Sequence, residues 1–208
     1  MTIKLLPEFI ETLREAVHND LLDLINVFNQ GSNSNKIEAF CIYSAGGFRG
    51  IGYAVRREGD KNTHQNMTLD TEFLSLVEDH SDIETTFTRQ SEQNNDLYFQ
   101  ICADEWEHIN EFDTFIHTNN TIESEIDKLY NAGIEPKAIQ FEILRLFIDA
   151  VSSLVNKGAF LSSAFAGNVF YSIQFAGSSN ASVLLESSKT LNNHEWHKKV
   201  EQFVKENA

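Results

Sequence analysis

The stretch Cys102-Ala103-Asp104-Glu105-Trp106-Glu107-His108 gathers a thiol, an imidazole and three carboxylates into one short turn-like run. A cysteine and a histidine can act as nucleophile and base when their side chains meet. Six positions apart across a strand end, Cys102 and His108 have no reason to do so, and Cys102 reads as a small core residue. The carboxylates suggest different chemistry. Hard divalent cations take oxygen ligands, and Asp104, Glu107 and Glu111 fall near helical spacing. Carboxylates are so abundant here that any two can be paired as acid and base, which leaves that signal without specificity.

Other stretches carry weaker chemistry. His194 and His197 in "NHEWHKK" stand three apart, whereas the metalloprotease pattern H-E-x-x-H needs four. They read as a solvated helix face. Gly46, Gly47, Gly50 and Gly52 in "YSAGGFRGIGYAV" match neither G-x-G-x-x-G nor a GK[ST] loop. The chain continues as Tyr53-Ala54-Val55-Arg56-Arg57, a strand instead of the helix that a dinucleotide fingerprint opens. A hairpin corner, which needs glycine where φ is positive, accounts for them. Arg49, Arg56 and Arg57 could hold an anion beside that corner; on an exposed sheet edge they would discourage edge pairing instead. No G-x-S-x-G elbow occurs. No catalytic residue, resident metal or cofactor is expected.

The elements that must position these residues follow from periodicity. Apolar residues from Phe9 to Phe28 recur at helical spacing, predicting a helix over about 7–29 with Pro7 in its first turn. Strands are predicted over 37–44 and 50–57. A short helix is expected over 69–77, a polar loop over 58–68 and a third strand over Asp96–Cys102, while the stretch 81–95 is too polar to be assigned an element. A helix follows at about 121–132. Pro136 opens a long helix to about Lys157, with Gly158 placed to cap it. "NVFYSIQFA", Asn168 to Ala176, is the last strand, followed by helices over about 181–189 and 193–206. This order predicts one α+β domain over residues 1–208, with a mostly antiparallel sheet of four to five strands covered by helices on one face.

Net charge is −15 over 208 residues, and its placement is uneven. Residues Met67 to Asp127 hold sixteen acids and one base, Arg89, while the remainder balances. Phosphate would be repelled by such a surface, which excludes nucleic acid as a first choice. A basic protein would be steered toward it. No apolar run is long enough to span a membrane, and the first residues lack a signal-peptide pattern. Two cysteines inside apolar runs suit reduced thiols and the cytoplasm.

"EAFCIYSAGGFRGIGYAV" followed by "ICADEW" resembles the bacterial family known as domain of unknown function 4303, in which a strand, a turn and a second strand precede a tryptophan-bearing corner. "FDTFIHTNN", "FEILRLFIDAVSSLVNKGAF", "NVFYSIQFAG" and "ESSKTLN" resemble the family's later segments in the same order, so the resemblance covers nearly the whole chain. The corner Cys102-Ala103-Asp104-Glu105-Trp106 departs from it by lacking a proline. The resemblance implies a small cytoplasmic protein encoded near polymorphic toxin systems, with an immunity role and no catalytic residues to carry over.

Charge and resemblance together predict a non-catalytic inhibitor of a basic toxin domain. Its partner-binding residues are expected to be Asp104, Glu105, Trp106, Glu107, Glu111, Phe112, Asp113 and Phe115, with the acids steering and the aromatics anchoring. Two other classes stand beside it: an enzyme holding a divalent cation on Asp104, Glu107 and Glu111, and a homodimeric or oligomeric scaffold using a helix face.

Overall fold

A computed structural model describes residues 2–31, 34–45, 48–61, 96–110, 114–176 and 181–207. The elements are α1 (Thr2–Gln30), β1 (Ile37–Ala45), β2 (Gly50–Arg57), α2 (residues 96–101), β3 (His108–Asn110), α3 (Ile116–Asn131), α4 (Pro136–Asn156), β4 (Phe165–Phe175), α5 (Ala181–Leu191) and α6 (His194–Glu206). The strands form a sheet in the order β3-β2-β1-β4. β2 pairs antiparallel with both β1 and β3, while β4 runs parallel to β1. The class is α+β, as the element order predicts.

Helices cover both faces of this sheet, not one. Along β1, Phe40 and Ile42 enter a core shared with α1, α3 and α4. Their neighbours Ala39, Cys41 and Tyr43 enter a second core with Phe99, Ile101 and Trp106, and with Trp196, Val200 and Phe203 of α6. Successive strand side chains point to opposite faces, so two apolar faces require two covering layers. Strand β4 shows the same demand, with five consecutive buried residues from Val169 to Ile173.

The expected third strand over Asp96–Cys102 is instead α2, which closes on itself through the Cys102 N–H donating to the Tyr98 carbonyl at 2.8 Å. Its apolar residues Phe99 and Ile101 are buried by packing on the second face. The pairing partner of β2 is the short β3 farther on. The helix expected at 121–132 begins earlier, at Ile116. Its start is capped from a distance: the buried Asp20 carboxylate of α1 accepts the Thr118 N–H at 2.8 Å. A negative group there complements the positive end of the helix dipole. α1 begins at Thr2, so Pro7 lies inside it instead of in its first turn. The helix expected over 69–77 and the polar stretch 81–95 lie outside the described residues.

Gly158 ends α4 as predicted, at φ 76°. Its N–H reaches the Val155 carbonyl at 3.0 Å and the Ala159 N–H reaches Leu154 at 3.0 Å, the paired bonds of a Schellman stop. The β1–β2 connection is the predicted hairpin, with Ala45 opposite Gly50. At its tip Phe48 adopts φ 68° and is buried against Phe147 and Phe175, while Gly46 and Gly47 lie outside the described residues. Among the described residues no helix is long and apolar enough to cross a membrane.

Candidate functional site

The acidic corner after α2 is held from below by two strands. Gln174 of β4 clamps its main chain in both directions, donating to the Ile101 carbonyl at 2.7 Å and accepting the Ala103 N–H at 3.1 Å. Its side-chain amide also donates to Ser172 Oγ at 2.9 Å, which fixes its orientation. Tyr43 of β1 donates its hydroxyl to the Asp104 carboxylate. The turn Ala103–Glu105 is a single 3-10 turn. Trp106 anchors the end of the turn, buried in the second core, with Nε1 donating to the Phe99 carbonyl at 2.9 Å.

This arrangement separates the predicted partner-binding residues. Asp104 and Glu107 are exposed and Glu105 is half-buried, all displayed by a turn that the core immobilises. Trp106, 3% exposed, and Phe115, fully buried, are core residues, and their expected role as surface anchors is corrected. The indole fills space beneath the corner, and Phe115 packs into the other face of the molecule. Glu111, Phe112 and Asp113 lie outside the described residues. Of the sixteen acids between Met67 and Asp127, seven fall within the described residues: Asp96, Asp104, Glu105, Glu107, Glu123, Glu125 and Asp127. On α3, Glu125 pairs with Lys128 at 2.6 Å, while Glu123 and Asp127 line a groove with Arg49.

The cation set expected from spacing is not the one the fold brings together. Asp104 is engaged by Tyr43, whereas Glu107 lies with His108 and with Asp60, which sits just past the end of β2. Donor atoms of these three residues all lie within 4.8 Å of one another. Asp60 was a residue of an expected loop, and no spacing rule connects it to a histidine forty-eight positions later. The signal that joins them is strand pairing, which sets His108 opposite Val55.

Cys102 and His108 do not meet. Cys102 is hydrogen-bonded to Tyr98 and buried in the second core, while His108 faces Asp60 at 3.6 Å. Burial raises the pKa of the Cys41 and Cys102 thiols above the ordinary range, so both stay protonated and unreactive at neutral pH. Tyr98, pushed up to about 12 chiefly by burial, stays protonated as well. Both cysteines are free thiols. His194 is exposed as expected, whereas His197, with its side chain only 20% exposed, sits between Ser188 of α5 at 3.3 Å and Glu201 at 3.7 Å instead of on a solvated face.

Arg56 also differs from expectation. β2 is interior to the sheet, and Arg56 is buried against Glu38 at 3.6 Å and over the Phe99 ring. Burial lowers its pKa, and the carboxylates of Glu38, Asp60 and Asp96 oppose that shift. Arg57 donates to the Asn35 carbonyl at 3.0 Å. Neither arginine lies on an exposed edge strand.

No family model, curated protein or solved structure matches this chain.

Proposed function

We propose that this chain is a non-catalytic binding protein, an immunity-type inhibitor that neutralises a basic bacterial toxin domain through its acidic surface. The observation that carries this reading is the corner Asp104-Glu105-Trp106-Glu107. Its carboxylates stand on a turn fixed by Gln174, Tyr43 and a buried tryptophan. Charges held in place lose little side-chain and backbone freedom on binding, so more of their attraction survives as affinity. The concentration of sixteen acids against one base in the middle third adds long-range steering. The resemblance to the family known as domain of unknown function 4303 points the same way. The same reading places the protein in the cytoplasm, where thiols such as Cys41 and Cys102 stay reduced.

The test uses a basic toxin domain from a neighbouring reading frame, the partner that this reading expects. Association is followed by stopped flow at low salt for the wild type and for a variant carrying Asp104→Lys, Glu105→Lys and Glu107→Lys. The reading expects association to slow by about tenfold or more in a variant that stays folded, its thermal midpoint lowered only by the loss of the Tyr43 bond to Asp104. An unaltered association rate in a folded variant would remove the acidic corner from the interface.

A further inference from the structure

The geometry points to a property beyond partner binding: we infer that Asp60, Glu107 and His108 form a site for one divalent transition-metal cation. Each residue contributes a donor atom, and the three donors lie within 4.8 Å of one another. The spacing between Asp60 Oδ1 and His108 Nε2, 3.6 Å, is too long for a good hydrogen bond between them. It is close to the separation of ~3.4 Å between two ligand atoms arranged tetrahedrally at ~2.1 Å from a shared ion.

Asp60 is already oriented for the task. Its Oδ2 accepts the Arg57 N–H at 2.7 Å, which leaves Oδ1 turned toward His108. The Asp60 side chain is only 8% exposed, so little water competes for it. His108 is held by β3 pairing with β2, and Glu107 immediately precedes that strand. Two neighbouring strands therefore fix the ligand set across the sheet edge, and Arg56 beside it is engaged with Glu38.

The donor set chooses the ion. Calcium takes six to eight oxygens and magnesium a near-ideal octahedron of oxygens, whereas imidazole favours zinc and the first-row metals. Two carboxylates balance a double positive charge, and three protein ligands leave a position for water. A cation here would tie the exit of β2 to the edge strand β3 and to the end of the acidic corner. The inference stands apart from the inhibitor reading, because it needs no partner.

The test uses the full chain, stripped of metal by a chelator. Zinc and manganese are titrated by calorimetry, manganese is followed by its paramagnetic resonance signal, and calcium and magnesium serve as controls. The inference expects one saturable zinc or manganese site, tighter than either control. Glu107→Gln and His108→Gln should each weaken it by about tenfold or more. At one fixed zinc concentration the thermal midpoint of the wild type should rise, and that of both variants should rise less. Asp60→Asn is a third variant; should it fail to fold, the two others decide. Absence of a saturable site overturns the inference. So does binding that survives His108→Gln, which would assign the ion to scattered carboxylates.

Discussion

Tyr43 and Gln174 stand opposite each other on the parallel strands β1 and β4, and both reach the same corner of the second face. Two adjacent strands thus carry, at matched positions, the groups that hold the acidic turn. The turn's main chain is half of the arrangement, because Gln174 satisfies a carbonyl and an amide on either side of Cys102.

Replacing Gln174 with leucine removes both bonds while keeping the volume. The Ile101 carbonyl and the Ala103 N–H would be left under a packed layer, and each unmade bond of this kind costs about 1–3 kcal/mol. With two such bonds lost, urea unfolding should register a loss of about 2–6 kcal/mol. Tyr43→Phe, which removes one hydroxyl beneath an exposed carboxylate, should cost less. Equal costs for the two would mean that the clamp is not the main support.

Trp106→Ala should destabilise the isolated protein by about 3–5 kcal/mol, since it empties a buried indole site and frees the Phe99 carbonyl. Glu105→Gln and Glu107→Gln should stay within about 0.5 kcal/mol of the wild type. Thermal or urea unfolding of the three variants checks this contrast. A tryptophan serving as a surface anchor would behave oppositely, weakening partner binding with little effect on the free protein.

How far the sequence reveals this molecule depends on how local each cause is. The pattern from Phe9 to Phe28 and the Pro136 to Gly158 frame announce α1 and α4, because periodicity and caps are written within the helix itself. The run Leu97-Tyr98-Phe99-Gln100-Ile101 is too short for periodicity to separate strand from helix, and tertiary packing makes it α2. The second helical layer had a visible sign. Unbroken burial along "VFYSI" and "AFCIY" is what a strand covered on both faces requires, while half-exposed strands alternate. The cluster of Asp60 with Glu107 and His108 had no local sign, since only the β2–β3 register brings those residues together.

Phe48 offers a test of stored backbone strain. It is 1% exposed and sits at φ 68°, where a side chain is disfavoured. Phe48→Ala should cost about 3–5 kcal/mol, the loss of its ring contacts with Phe147 and Phe175. Phe48→Gly loses the same contacts but relieves the left-handed conformation. It should therefore be more stable than the alanine variant by about 1 kcal/mol. Chemical denaturation of both variants decides the matter, and an alanine variant as stable as the glycine one would deny the strain.

Alkaline pH should unfold this protein partly through Cys41. Its thiol is wholly buried, and burial raises its pKa far above the usual value of about 8.5. In the unfolded chain the thiolate forms above that value, while in the folded protein the proton stays on. The associated stability is fully present below about pH 8.5 and is lost as pH climbs toward the raised folded value. Each such group lowers stability by up to about 1.4 kcal/mol per pH unit in that window. Cys102 and Tyr171, also raised by burial, add to the same slope. Cys41→Ala removes one contribution. Its stability deficit at pH 7, caused by lost packing, should shrink by about 2 kcal/mol on going to pH 10. Urea unfolding of both proteins across that range measures the gap. A constant gap would mean that the thiolate forms as readily in the folded protein as in the unfolded chain, which a side chain sealed between β4 and the corner does not permit.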